Sequence, residues 1–140
     1  MLKKILIALD GAERFAQLLD TLRNLHLQPD AKILLAHVIS QSPDQLDVAA
    51  SRPPADIEDL SLLYLDQLKT HQPQIPYNTE MEVVSGDPAD EIIRLSHLHQ
   101  VDLIIMGSRG LTGLNRVVQG SVSSQVVADA PCSVLVVKAA

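Results

Sequence analysis

Apolar positions in this chain fall into two alternating rhythms. Lys4-Ile5-Leu6-Ile7-Ala8-Leu9 is a short continuous run stopped by Asp10-Gly11, and that length and stop predict a buried strand. From Glu13 to Leu25 the rhythm changes: Phe15, Leu18, Leu19, Leu22 and Leu25 recur at three- and four-residue steps, the stripe of an amphipathic helix. Lys32 to Ile39 is a second strand of the buried type. Ser40 to Pro54 is polar and rich in Ser, Asp and Pro, which predicts a mobile loop rather than a linker. Ile57, Leu60, Tyr64 and Leu68 then mark a second helix that ends near Gln72-Pro73. Thr79 to Val84 reads as a strand.

Gly86-Asp87-Pro88 predicts the start of a third helix. Asp87 can cap it, Pro88 suits its first position, and Asp90 and Glu91 suit its positive end. Ile92, Ile93, Leu95 and Leu98 give that helix its apolar positions. Val101 to Met106 is a further strand, Ser121 to Asp129 a helix and Ser133 to Val137 a last strand. Strands that alternate with helices and read as continuous apolar runs imply a parallel sheet with helices on both faces. The 140 residues are expected to form one domain, 1–140.

Composition narrows the chemistry. Apolar residues are 46% of the chain, yet the aromatic residues are only Phe15, Tyr64 and Tyr77, so the core must be aliphatic. Lys and Arg number 11 against 17 Asp and Glu, a net charge of −6. An acidic chain without a basic cluster is a poor binder of nucleic-acid phosphates, but backbone amides can still hold a small anion. No apolar run approaches the roughly 18 residues that a membrane helix needs, and the first residues do not read as a signal peptide. One cysteine, Cys132, excludes an internal disulfide and suits a cytoplasmic setting. After Pro131 it is expected to be a buried, inert thiol. His37 is expected to be a satisfied core histidine. His97 and His99, two apart on a helix, face different ways and make a poor metal pair.

The informative segment runs from Gly107 to Ser121 and holds four of the six glycines of the chain. It follows the fourth predicted strand directly. Glycines allow positive φ and close approach to the main chain. Successive amides there can form an anion nest, and a helix opened by Gly120-Ser121 would aim free N–H groups at a phosphate. The same features also occur in ligand-free connections, with Ser121 as an ordinary N-cap. The chain has neither a P-loop nor, after its first strand, a dinucleotide-binding Gly-x-Gly-x-x-Gly.

Gly107-x-x-Gly110, nine residues, then Gly120-Ser121 resembles the nucleotide-binding signature of the universal stress protein family. The resemblance extends over nearly the whole chain: Ile5–Gly11, Leu34–Val38, Gly86-Asp87-Pro88, Asp102–Gly110 and Ala130–Val137 are all similar to the family pattern. Ala12 and Phe15 depart from it, standing where the family often has Ser. The resemblance implies a three-layer, Rossmann-like α/β fold: an open parallel five-stranded sheet of order 3-2-1-4-5 with helices on both faces. That order agrees with the motifs, because Asp10 and Gly107 share a site only if strands one and four are neighbours at the switch point.

The resemblance also implies an adenine-nucleotide-binding protein of stress response or signalling. ATP, AMP or a cyclic nucleotide would be the ligand, with Mg possible beside a triphosphate. The Val38 backbone would read the adenine edge and Asp10 the ribose hydroxyls. Ala8 and Leu9 would line the pocket, and Met106 and Gly107 would pack near the sugar. Gly110, Gly120, Ser121, Val122 and Ser123 would serve the phosphates, and Arg109 would either reach them or stay solvated. No general base or Walker-type Lys is evident, so at most weak ATP hydrolysis is expected. A slow ATPase or phosphotransferase, or a dimerising protein that ignores nucleotide, stand as alternatives. The last strand, 133–137, is apolar and would lie at the sheet edge. Pairing with its own copy in a homodimer would cover it.

Overall fold

The computed structural model describes residues 2–9, 15–40, 56–107 and 116–138. Among the described residues, ten elements follow one another: strand β1 (Lys4–Leu9), helix α1 (Phe15–Asn24), β2 (Lys32–Ser40), α2 (Asp56–His71), a 3-10 turn (Gln72–Gln74), β3 (Asn78–Gly86), α3 (Pro88–Leu98), β4 (Leu103–Gly107), α4 (Arg116–Asp129) and β5 (Ser133–Val137). The strands form one sheet in the order β3-β2-β1-β4-β5, and every pairing is parallel. This is the order and architecture that the sequence led us to expect.

The hand of the connections explains the layers. Parallel crossovers are right-handed. Stepping from β1 to β2 to β3 therefore puts α1 and α2 on one face, and stepping back to β4 and β5 puts α3 and α4 on the other. The alternation of side chains along β1 sorts the core in the same way. Ile5, Ile7 and Leu9 pack with Phe15, Leu18, Leu19 and Leu22 of α1 and Leu68 of α2. Leu6 and Ala8 pack with Ala89, Ile92 and Leu95 of α3 and Val126 of α4. Ile5, Leu6 and Ile7 are fully buried, each contributing about 1.5–3 kcal/mol relative to an exposed side chain.

Local chemistry sets several boundaries. Asp87 caps α3 as expected: its side chain accepts from the Asp90 amide at 3.0 Å, and Pro88 stands at the first helical position. β4 begins at Leu103 rather than Val101. The residue between, Asp102, turns its carboxylate onto the amides of Lys3 and Lys4, at 2.9 and 3.0 Å. Its own amide donates to the Lys4 carbonyl at 2.7 Å. These bonds tie the starts of β1 and β4 together.

A second expected boundary needs correction. α4 opens at Arg116, not at Ser121. The stretch Arg116-Val117-Val118-Gln119 has no proline to stop a helix, and a single internal glycine lowers helix stability by only about 1 kcal/mol. The helix therefore runs through Gly120. The loop expected over Ser40–Pro54 lies, past Ser40, outside the described residues.

Candidate functional site

β1 lies between β2 and β4, and this is where the strand order reverses. The chain leaves β1 toward β2 on one side and returns to β4 on the other, and open α/β sheets bind their ligands beyond the carboxyl ends of the strands at such a point. The register brings the expected site residues there from three strands. Ala8 is level with Ala36 on one flank and Met106 on the other, and Leu9 is level with His37. Gly107 closes β4 one residue further on. Ala8, Leu9, Val38 and Met106 are buried.

Among the described residues the β1 ladder runs to Leu9–His37, and β2 goes on through Val38, Ile39 and Ser40, paired with Val84, Ser85 and Gly86 of β3. Val38 is thus the next residue of β2 after the Leu9–His37 pair.

The two helices that start at this end of the sheet on the α3/α4 face differ in charge. α3 is capped by Asp87 and carries Asp90 and Glu91 in its first turn, a poor place for an anion. The first turn of α4 holds no acidic residue and begins with Arg116. Because α4 starts at Arg116, the amides of Gly120 and Val122 fall within the helical ladder, past its free first turn. The side chain of Val122 packs against the core on the α3/α4 face, and Ser123 is half-buried. Asp10, Arg109 and Gly110 lie outside the described residues, and of Gly120 and Ser121 the structure describes the helical backbone.

His37 is buried, as expected of a core histidine, and its surroundings are specific. Its Nδ1 lies 3.0 Å from the Leu9 carbonyl oxygen. A carbonyl only accepts, so Nδ1 carries the proton and donates. The ring stacks on Tyr64 of α2, with centroids 3.9 Å apart and planes 25° apart. Burial pushes its pKa down, and the Leu9 bond offsets this in part. The ring is therefore neutral at physiological pH. Nothing in the apolar rhythm of α2 marks Tyr64 as the partner of a residue 27 positions earlier, and the sequence reading missed the contact. A second such stack joins Phe15 of α1 to His71 at the end of α2, with centroids 3.9 Å apart.

The remaining candidates sit elsewhere. Cys132 is half-buried and free. Burial, and then the charge of Asp102, push its thiol pKa up, which lowers its reactivity. His99 Nε2 lies 3.1 Å from Glu82 Oε1 of β3, and His97 is exposed. No helix among the described residues is long and apolar enough to cross a membrane.

An open, all-parallel sheet whose strand order reverses at β1 defines a class of doubly wound α/β proteins, and comparison with known proteins gives the family. The model of the universal stress protein family matches residues 1–138, and the chain belongs to that family. It is 31% identical over 140 residues to universal stress protein MJ0531 of Methanocaldococcus jannaschii, covering 97% of this chain and 82% of that one. Among solved structures it is similar to the hypothetical protein MJ0577, at 26% identity and a TM-score of 0.80 over 100% of this chain and 98% of the other. A universal stress protein family member from Arabidopsis thaliana, solved with AMP bound, is 25% identical with a TM-score of 0.64, over 99% of this chain and 92% of that one.

Proposed function

We propose that this chain binds an adenine nucleotide, ATP or a close relative, at the carboxyl ends of β1 and β4, and acts in a cytoplasmic stress or signalling response. One observation carries the reading. The glycine-rich stretch Gly107-x-x-Gly110-x9-Gly120-Ser121 leaves β4 at the switch point, beside the buried floor formed by Ala8, Leu9 and Met106. The AMP bound to the Arabidopsis relative supports the ligand class.

In this reading the base lies against the end of β2, where the Val38 backbone meets its edge. Asp10 follows β1 and takes the ribose hydroxyls through charge-assisted hydrogen bonds. Met106 and Gly107 lie under the sugar. Gly110, Arg109 and the hydroxyls of Ser121 and Ser123 serve the phosphates, while Gly120 and Val122, whose amides belong to the α4 ladder, give room rather than donors. The acid-free first turn of α4 favours negative charge there, whereas the acidic start of α3 disfavours it. A Mg2+ would arrive on the phosphates of a triphosphate. Mass spectrometry of the small molecule that copurifies, followed by calorimetry with ATP, AMP and cyclic AMP, tests the reading. Failure to retain or bind any adenine nucleotide overturns it.

The same reading includes a homodimer through β5. This strand is an edge, and Val134, Leu135, Val136 and Val137 are only partly covered. No charge or proline blunts it before Lys138. Antiparallel pairing with a second copy would satisfy the edge by one two-fold interface. Light scattering is expected to give twice the 15.2 kDa chain mass, falling to the single-chain mass for Val136→Pro. A 15.2 kDa particle from the unaltered protein at micromolar concentration rules the dimer out.

A further inference from the structure

Among the described residues, His37 is the last of β2 laddered on both sides, to Leu9 of β1 and Val83 of β3, and Val38 follows it directly. His37 is fixed twice more by its own side chain: Nδ1–H donates to the Leu9 carbonyl at 3.0 Å, and the ring face lies on Tyr64. One ring thus ties β1, β2 and α2 together one residue before Val38.

We propose that His37 is a positioning residue for base recognition. Its ring locks Leu9 of β1 to β2 one residue before Val38, so that the Val38 backbone presents its hydrogen-bonding groups to the base in a fixed direction. This rests on the adenine-nucleotide reading above, and goes beyond it by assigning the discrimination between bases to a side chain that does not touch the ligand. Backbone groups can tell adenine from hypoxanthine, which presents a carbonyl and an N–H where adenine has an amine and a ring-nitrogen acceptor, only if they cannot swing to accept either pattern. The neutral ring suits the role. It has one donor, spent on Leu9, and it adds no buried charge.

The test uses the full chain and two probes, ATP and ITP, measured by calorimetry. The unaltered protein is expected to prefer ATP. His37→Leu removes the donor and is expected to shrink that preference about tenfold, the size of one net hydrogen bond. His37→Asn places an amide N–H near the position of Nδ1 and is expected to restore the preference. If His37→Leu does not fold, His37→Gln serves instead, because its amide reaches the Nε2 position and leaves the Leu9 carbonyl unheld. An equal loss of affinity for both nucleotides in these variants, or a change in melting temperature alone, would show a merely structural histidine and overturn the proposal. So would an unaltered protein that binds ATP and ITP alike. An unaltered protein that binds neither overturns the nucleotide reading itself, and the role of His37 with it.

Discussion

At the amino end of the sheet the chain satisfies itself. Asp102 accepts from the amides of Lys3 and Lys4 and returns its own amide to Lys4, while the Lys32 amide donates to the Lys3 carbonyl at 2.7 Å. Three strand starts, those of β2, β1 and β4, are thereby sewn together by side chain and backbone. At the carboxyl end, β4 ends in a glycine, and α4 begins without an acidic residue. The first end holds the fold. The second end is where we place the nucleotide. Substitutions at the two ends should therefore separate stability from binding.

The largest effect is expected at Gly120. A valine there puts branched bulk where the phosphates would meet the backbone and should lower ATP affinity at least a hundredfold, about 3 kcal/mol. Valine is a better helix former than glycine, and Gly120 lies inside α4, so thermal melting should hold steady or rise. Calorimetry and a melt on the same sample check the opposite signs, and unchanged affinity in the folded variant would remove Gly120 from the site.

Asp10→Ala comes next, with a loss of about ten- to a hundredfold for ATP and AMP alike from the missing charge-assisted bonds. If only the Mg-loaded triphosphate weakens, Asp10 serves the metal rather than the ribose. Asp102→Ala, at the other end, should reverse the pattern. It should lower stability by about 1–2 kcal/mol in urea titration and leave ATP affinity unchanged. A matching loss of affinity would mean that the two ends are not separable.

Acid gives the smallest effect. Burial holds the pKa of His37 and of His71 below the ordinary value in the fold, so the unfolded chain takes up these protons more readily. Their stabilisation is complete above about pH 6.5 and declines as the pH falls from there toward the lowered folded values. Each contributes a slope of at most about 1.4 kcal/mol per pH unit. Melts between pH 7.5 and 5 should show the decline, and His37→Asn should make it shallower.

How much of this was legible in the sequence depended on the range of the interaction. β1 falls on the residues that its apolar run marked, because a strand buried on both faces has little choice of side chain, and β5, a partly covered edge, falls on its run as well. The start of α3 was legible because Asp87, Pro88 and Asp90 act within one turn. The start of α4 was misplaced because Gly120 reads as a break, although one glycine is too weak a penalty to stop a helix. The beginning of β4 moved because Asp102 answers to Lys3 and Lys4, almost a hundred residues away. The same distance rule hid the His37–Tyr64 stack. Of the candidate site, the glycine spacing was visible as a motif. The gathering of Ala8, Leu9, Val38 and Met106 at one end of the sheet follows from strand order, which local pattern alone does not fix.

The scarcity of aromatic side chains has an optical consequence. With no tryptophan and two tyrosines, near-ultraviolet absorption and intrinsic emission of the chain come from Tyr64 and Tyr77. One of these two chromophores lies face to face with the imidazole that holds the end of β1. The molecule thus carries a native spectroscopic reporter one side chain away from the end of β1, against a background of a single other tyrosine.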